Sequence, residues 1–319
     1  MMNFSAQGES AKLGFDDVLG EVEKKPAFFG TLSGRKIRVP ATSANLGCGF
    51  DSLGLALTLY LTVEIGAVSD VWEVVHDFGA AIPSDATNLI VASALKLSNT
   101  LLPHILYVTS DIPLEHGLGS SSSAIVAGIE LANLLAQLRL TTDEKLRLAC
   151  AFEGHPDNVA PALLGGLIVA SYNAESLTHQ TLPAPTCALI VVVPPYNVST
   201  KKARDVLPET YSRAHAAIAS ANANVLVASL AKGDLTLAGR LMEQDLFHET
   251  YRAALIPDLK KVRAIAHDNA AYGTYLSGAG STIMTLTSAD KAPQLLSALT
   301  KHYTDVRQLA VDTAGATTY

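Results

Sequence analysis

Charge is scarce in this 319-residue chain: Asp, Glu, Lys and Arg make up 17% of it, against roughly 25% in an average soluble protein. With 49% apolar residues beside it, this excludes disorder and leaves ample material for a core. Basic residues are outnumbered, 23 to 30, for a net charge of −7, and no Lys/Arg cluster is longer than a pair. A nucleic-acid or anionic-membrane surface is thereby disfavoured, while a local anion site stays open. The three cysteines, Cys48, Cys150 and Cys187, are odd in number and far apart, which argues against a disulfide framework and fits a reducing cytosol. No apolar run approaches the roughly 18 residues of a membrane span. No basic start followed by an apolar stretch marks a signal peptide. A soluble, cytoplasmic globular protein is expected, of two domains or one large one.

Familiar catalytic signatures are missing too. No Gly precedes a Lys, so there is no Walker-type loop, and no G-x-G-x-x-G marks a dinucleotide turn. No Ser has Gly at both −2 and +2, which removes the nucleophile elbow. The nine His include no H-E-x-x-H and no pair four apart, and the Cys never pair, so zinc has no ligand set.

What is present divides the chain. Residues 1–34 have scattered Gly, mixed charge and no sustained period, and read as a flexible extension. Strands are expected from Arg35, over 61–65 with a partner at 72–75, over 105–109 and over 166–171. Helices are expected over 88–98, over 121–137 and from the Thr141/Glu144 capping box to Glu153. The 121–137 helix is interrupted only by Glu130 and Asn133 and should be buried on most sides. Leu182-Pro183-Ala184-Pro185 is the best linker, separating 35–182 from 183–319. The second part should hold strand 188–193, three or four helices over 200–271, strands 273–277 and 282–287, helix 290–302 and strand 306–311. Strands and helices mix without strict βαβ alternation, so the class is α+β.

Four segments carry chemistry. Residues 113–124, Pro-Leu-Glu-His-Gly-Leu-Gly-Ser-Ser-Ser-Ser-Ala, lie between a strand and an apolar helix. Two glycines allow close backbone approach, and four serines supply amides and hydroxyls where a helix start presents free N–H groups, which makes a phosphate cradle. An N-cap alone would need one serine. Residues 40–51, Pro-Ala-Thr-Ser-Ala-Asn-Leu-Gly-Cys-Gly-Phe-Asp, could hold a polar ligand or form a simple turn. Residues 153–161, Glu-Gly-His-Pro-Asp-Asn-Val-Ala-Pro, put a carboxylate at a helix C-terminus, against the dipole, where a cation would suit it. Residues 276–281, Leu-Ser-Gly-Ala-Gly-Ser, read as a glycine-rich turn between strands.

In this order the four segments resemble the GHMP superfamily of small-molecule kinases, over about residues 36–319. The resemblance implies a ribosomal-protein-S5-like α/β N-terminal domain followed by a ferredoxin-like α+β C-terminal domain. It implies ATP and Mg²⁺, with the phosphates held by Pro113, Gly117, Leu118, Gly119, Ser120, Ser121, Ser122 and Ser123. Gly278 and Gly280 would buttress that loop. Ser121 and Glu153 would be the Mg²⁺ ligands. The implied acceptor is the side-chain hydroxyl of L-homoserine, as in threonine biosynthesis, held by Asn45, Asp51, His155, Asn158, Thr200, Arg204 and Arg252. Ser121, Glu153 and Asn158 would form the catalytic group. Asn158 stands where related kinases place an Asp, which implies transfer without a side-chain base, with Asp157 the runner-up base. Cys48 and Ser281 stand where proline is usual. The alternatives are a kinase of the same fold for another alcohol, such as mevalonate, and a non-catalytic sensor. A homodimer is compatible with the resemblance; nucleic-acid and membrane partners are not expected.

Overall fold

The computed structural model describes residues 32–173 and 175–319. The flexible extension expected over 1–34 lies outside the described residues except for 32–34, which belong to the folded body. Leu32 packs on the main core and Gly34 N donates to Ile65 O at 2.8 Å.

The first sheet grows from two long strands, β1 (Lys36–Ala44) and β2 (Leu53–Val68), paired antiparallel. Both run further than the alternating pattern indicates, because residues 41–44 and 53–57 are buried throughout and so carry no polar alternation. A register shift at Pro40/Ala41 accommodates a proline that cannot donate to the ladder. Strand β2 is the hub: residues 61–68 pair with β4 (His104–Ser110) and residues 53–55 with β5 (Leu167–Tyr172). Strand β3 (Glu73–Val75) pairs parallel with β4, not with β2 as its position in the sequence suggests. Strand β6 (Leu177–Leu182) continues the sheet from β5; its polar, largely exposed residues conceal it in the sequence.

Among the described residues, four helices pack in the core with this sheet: α1 (Leu89–Leu97), α2 (Ser120–Leu135), α3 (Thr142–Glu153) and α4 (Pro156–Leu164). Helix α2 is buried on most sides, and its two polar interruptions are satisfied. Glu130 accepts from Lys145 Nζ at 2.8 and 2.9 Å, and Asn133 Oδ1 accepts from Leu140 N at 2.9 Å, as buried polar groups must. Helix α3 begins with the expected Thr141/Glu144 capping box and ends at Gly154 with φ +90°, a conformation glycine adopts without strain. Helix α4 is absent from the sequence expectation: Pro156 at its first turn is compatible with a start, but the internal Pro161 reads as a breaker.

The second sheet is antiparallel, in the order β10 (Val306–Leu309), β7 (Ala188–Val192), β9 (Ile283–Thr287), β8 (Gly273–Leu276). Between β7 and β8 lie five α-helices among the described residues, where three or four are expected: α5 (Thr200–Asp205), α6 (Arg213–Lys232), α7 (Leu235–Met242), α8 (Glu249–Arg252) and α9 (Asp258–Asp268). Helix α6 is long and apolar enough in composition to cross a membrane. His215, Asn222 and Asn224 interrupt its apolar run, which is why no such run is visible in the sequence; Leu226 and Leu230 anchor it in the main core. Helix α10 (Ala292–Thr300) precedes β10. The last strand, β11 (Thr317–Thr318), returns to pair with β1. One apolar cluster runs through the first sheet and on to Val191, Tyr275 and Met284 of the second, so the two sheets share a core. Where they meet, the loop before α2 faces the turn between β8 and β9.

Candidate active site

Helix α2 starts without a side-chain cap. Its N-cap is Gly119, left-handed at φ +71°, and Ser120–Ser123 lie inside the first turn instead of in front of it. The amides at the helix start are therefore aimed outward with the positive end of the dipole. A Cβ at Gly119 would collide with Thr42 Oγ1. Glycine is thus required there by both conformation and space.

These amides open into a cavity of about 240 Å³. Gly117, Gly119, Ser120, Ser121, Ser122, Gly278 and Gly280 line one side of it. Asn45, Asp51, Glu153, His155, Asn158, Thr200, Arg204 and Arg252 line the rest. Three residues assigned to the phosphates do not reach it. Leu118 is buried in the core, and Ser123 turns inward to donate to Pro40 O at 2.9 Å. Pro113 faces a second cavity behind the loop.

Glu153, last residue of α3, accepts from Ser122 Oγ at 3.1 Å; Ser121, expected beside it, is exposed in the same cavity. Burial pushes the Glu153 carboxyl above its usual range, against the opposing pull of His155. A carboxylate that burial disfavours, next to serine hydroxyls and at a helix's negative end, suits a hard cation that takes oxygen ligands. The residues present therefore fit Mg²⁺.

The loop after β1 holds three consecutive left-handed residues, Asn45 (φ +73°), Leu46 (φ +48°) and Gly47 (φ +77°), and Asp51 follows at φ +51°. Strain of this kind persists only where surroundings over-determine it. Asn45 supplies that hold: its Oδ1 accepts from Asp51 N at 3.0 Å and its Nδ2 donates to Gly278 O at 3.2 Å. Asn45 is thus a brace between the two sheets. Asp51 itself takes a two-pronged ion pair from Arg204 of α5, at 2.9 and 3.2 Å. Burial works against the Arg204 charge, but Asp51 outweighs it and raises the pKa.

The remaining groups expected at the acceptor are also tied. His155 Nδ1 meets Asp157 Oδ1 at 2.5 Å; burial opposes the imidazolium, yet Asp157, Glu153 and Asp51 together raise its pKa. Thr42 Oγ1 donates to Asn158 Oδ1 at 2.8 Å. Arg252 is buried and donates from Nε to Ala203 O at 3.0 Å and from Nη1 to Gly278 O at 2.9 Å and His248 Nδ1 at 3.1 Å. Desolvation first, and Arg204 second, lower its pKa to about 10, so it stays cationic at neutral pH. Phe50 lies under both guanidinium groups, 5.9 Å from Arg204 and 5.6 Å from Arg252, within cation–π range. Residue type alone does not single out Phe50, His248 or Thr42. His248 and Arg252 stand four apart, a helical spacing that could have paired them.

The sequence pattern described as the GHMP kinases N terminal domain matches residues 88–166, and that of the GHMP kinases C terminal matches residues 226–305. A homoserine kinase of Lactococcus lactis subsp. cremoris is 54% identical over 261 residues, covering 80% of this chain and 88% of the relative. The chain belongs to the GHMP kinase family. A homoserine kinase of Listeria innocua is 50% identical over 282 residues, covering 88% of this chain and 98% of the relative. The solved structure of homoserine kinase from Cytophaga hutchinsonii superposes with a TM-score of 0.77 at 30% identity, covering 92% of this chain and 99% of that one. This GHMP kinase therefore has the fold that its four segments imply.

Proposed function

We propose that the chain transfers the γ-phosphoryl group of ATP to the side-chain hydroxyl of L-homoserine, giving O-phospho-L-homoserine and ADP, as a cytosolic enzyme of threonine biosynthesis. One observation carries the reading. A single cavity joins an uncapped helix start, suited to phosphates, to a group of opposite charges, Asp51 against Arg204 and Arg252, suited to an amino acid zwitterion. The close homoserine kinase relatives point to the same acceptor.

In this reading the amides from Gly117 to Ser121 bind the phosphates, and Ser121 and Glu153 would hold Mg²⁺, with Ser122 fixing the carboxylate. Bound there, Mg²⁺ supplies positive charge against the phosphate oxygens. Phosphoryl transfer passes through a loose transition state, so positioning and charge neutralisation do most of the work. Asp51 takes the substrate ammonium, and Arg204 and Arg252 take its carboxylate. With its Oδ1 engaged by Thr42, Asn158 offers its amide N–H₂ to orient the hydroxyl. An amide has no useful basicity, and the nearby Asp157 is already held by His155. The hydroxyl proton therefore passes late, directly or through water, to a phosphate oxygen. A mevalonate-type acceptor would leave the two arginines and Asp51 without a zwitterion to bind, and a sensor would need neither Ser121 nor Glu153.

The test is ADP release with L-homoserine, L-serine and mevalonate offered in turn. Preferred turnover of L-homoserine is expected. Preferred turnover of mevalonate, or ATP binding without transfer to any of the three, would overturn the assignment.

A further inference from the structure

The loop before α2 has two sides. Glu115, Gly117 and Gly119 face the active-site cavity, whereas Pro113 and His116 face a second cavity of about 380 Å³ behind it. What holds the loop from behind decides where its amides point. His116 does this twice. Its backbone O accepts from Thr282 N at 3.0 Å, and its Nδ1 lies 2.8 Å from Ser281 Oγ. The same Oγ lies 2.6 Å from Tyr196 O. A carbonyl oxygen can only accept, so Ser281 gives its one proton to Tyr196 and receives its other bond from His116 Nδ1–H. The chain of donors thus has one direction, from His116 through Ser281 to Tyr196. It ties the loop to the β8–β9 turn and to the segment after β7.

Ser281 is wholly buried, so the hydroxyl cannot fall back on water if a partner is removed. A second tie lies one residue on, where Ser277 Oγ donates to Gly117 O at 2.7 Å. Proline, usual at 281 by the family resemblance, has no hydroxyl and could form neither bond. The latch therefore depends on the residue by which this chain departs from that pattern.

We propose that His116 and Ser281 are positioning residues that fix the phosphate loop for nucleotide. The proposal rests on reading that loop as the ATP cradle. Neither side chain touches the site cavity; both act through the amides at Gly117 to Ser121, which bind phosphate well only while they converge.

The test compares the KM for ATP, the KM for L-homoserine and the melting temperature of the full chain with those of five variants. Ser281→Ala and His116→Ala should each raise the KM for ATP about three- to tenfold, the range of one hydrogen bond, and leave the KM for L-homoserine in place. Ser281→Thr, which keeps the hydroxyl, and His116→Asn, whose amide can donate from the position of Nδ1, should recover most of the loss. The double alanine variant should be no worse than Ser281→Ala, which already removes the His116 bond together with the bond to Tyr196. An unchanged KM for ATP in Ser281→Ala would overturn the latch. So would equal rises in both KM values accompanied by a fall in melting temperature, which would mark Ser281 as a packing residue. If the unaltered chain binds no ATP at all, the cradle reading fails, and the latch fails with it.

Discussion

The two halves of the cavity are built in opposite ways. The half proposed for the nucleotide comes mostly from one stretch, residues 117–122, with Gly278 and Gly280 beside it, and is nearly neutral: glycines, serines and the open amides of one helix start. The acceptor half is assembled from Asp51, His155, Arg204 and Arg252, brought from four elements, and each is bonded to another protein group. Backbone donors are aimed by local geometry and impose no electrostatic cost while the site is empty. Side-chain charges are different: a half-buried charge without a partner is costly, so Asp51 faces Arg204, Asp157 faces His155, and Arg252 is held by two carbonyls and His248. In the proposed reading, the Asp51–Arg204 pair occupies the place that the zwitterion would take. A substrate with one ammonium and one carboxylate can part that pair and re-satisfy both ends; a singly charged alcohol cannot.

Breaking each half in turn sharpens the contrast. The largest effect is expected at the seam, where Glu153→Gln keeps shape and removes the charge. Turnover should fall about a hundredfold or more, as losing transition-state charge stabilisation does, while the KM for L-homoserine holds. Near-normal turnover at saturating Mg²⁺ would reduce Glu153 to a helix-end residue. Next comes Asn158→Ala, which should cut turnover by tens-fold through loss of hydroxyl orientation. Its pH profile should keep the shape of the unaltered enzyme, since no side-chain base is removed; a vanished acidic limb in Asp157→Asn would instead mark Asp157 as the base. Smaller still, Thr42→Val removes the bond that orients Asn158 and should lower turnover about two- to tenfold, the worth of one hydrogen bond. The Asn158→Ala/Thr42→Val pair should lose no more than Asn158→Ala alone, since Thr42 acts through Asn158; a further loss in the pair would give Thr42 a separate role.

The same contrast explains what could be read from the sequence. Gly117-Leu118-Gly119 followed by four serines declares a helix start and a close backbone approach within one short stretch, and the structure puts both there. The acceptor residues are individually legible as polar side chains in loops, but their pairing is not. Asp51 and Arg204 are 153 positions apart, and only the docking of α5 over the loop after β1 joins them. The family resemblance puts Asn45 in the acceptor pocket, and Asn45 lines the cavity; its second task, bridging Asp51 and Gly278 through its amide, has no local signal. Helix α4 was hidden by Pro161, and the extra helices between β7 and β8 by their short length. In each case packing between distant segments overrides the local signal.

The central claim, that charge pairing on the acceptor side is the zwitterion site, is tested most directly by Arg204→Leu with two acceptors: L-homoserine and its amide, which lacks the carboxylate. Charge-assisted hydrogen bonds contribute roughly 1.5–3 kcal/mol each, and about 1.4 kcal/mol is a factor of ten. The account predicts a ten- to hundredfold rise in the KM for L-homoserine, an unchanged KM for ATP, and little further loss for the amide, already a poor acceptor. Equal losses for L-homoserine and its amide would contradict it.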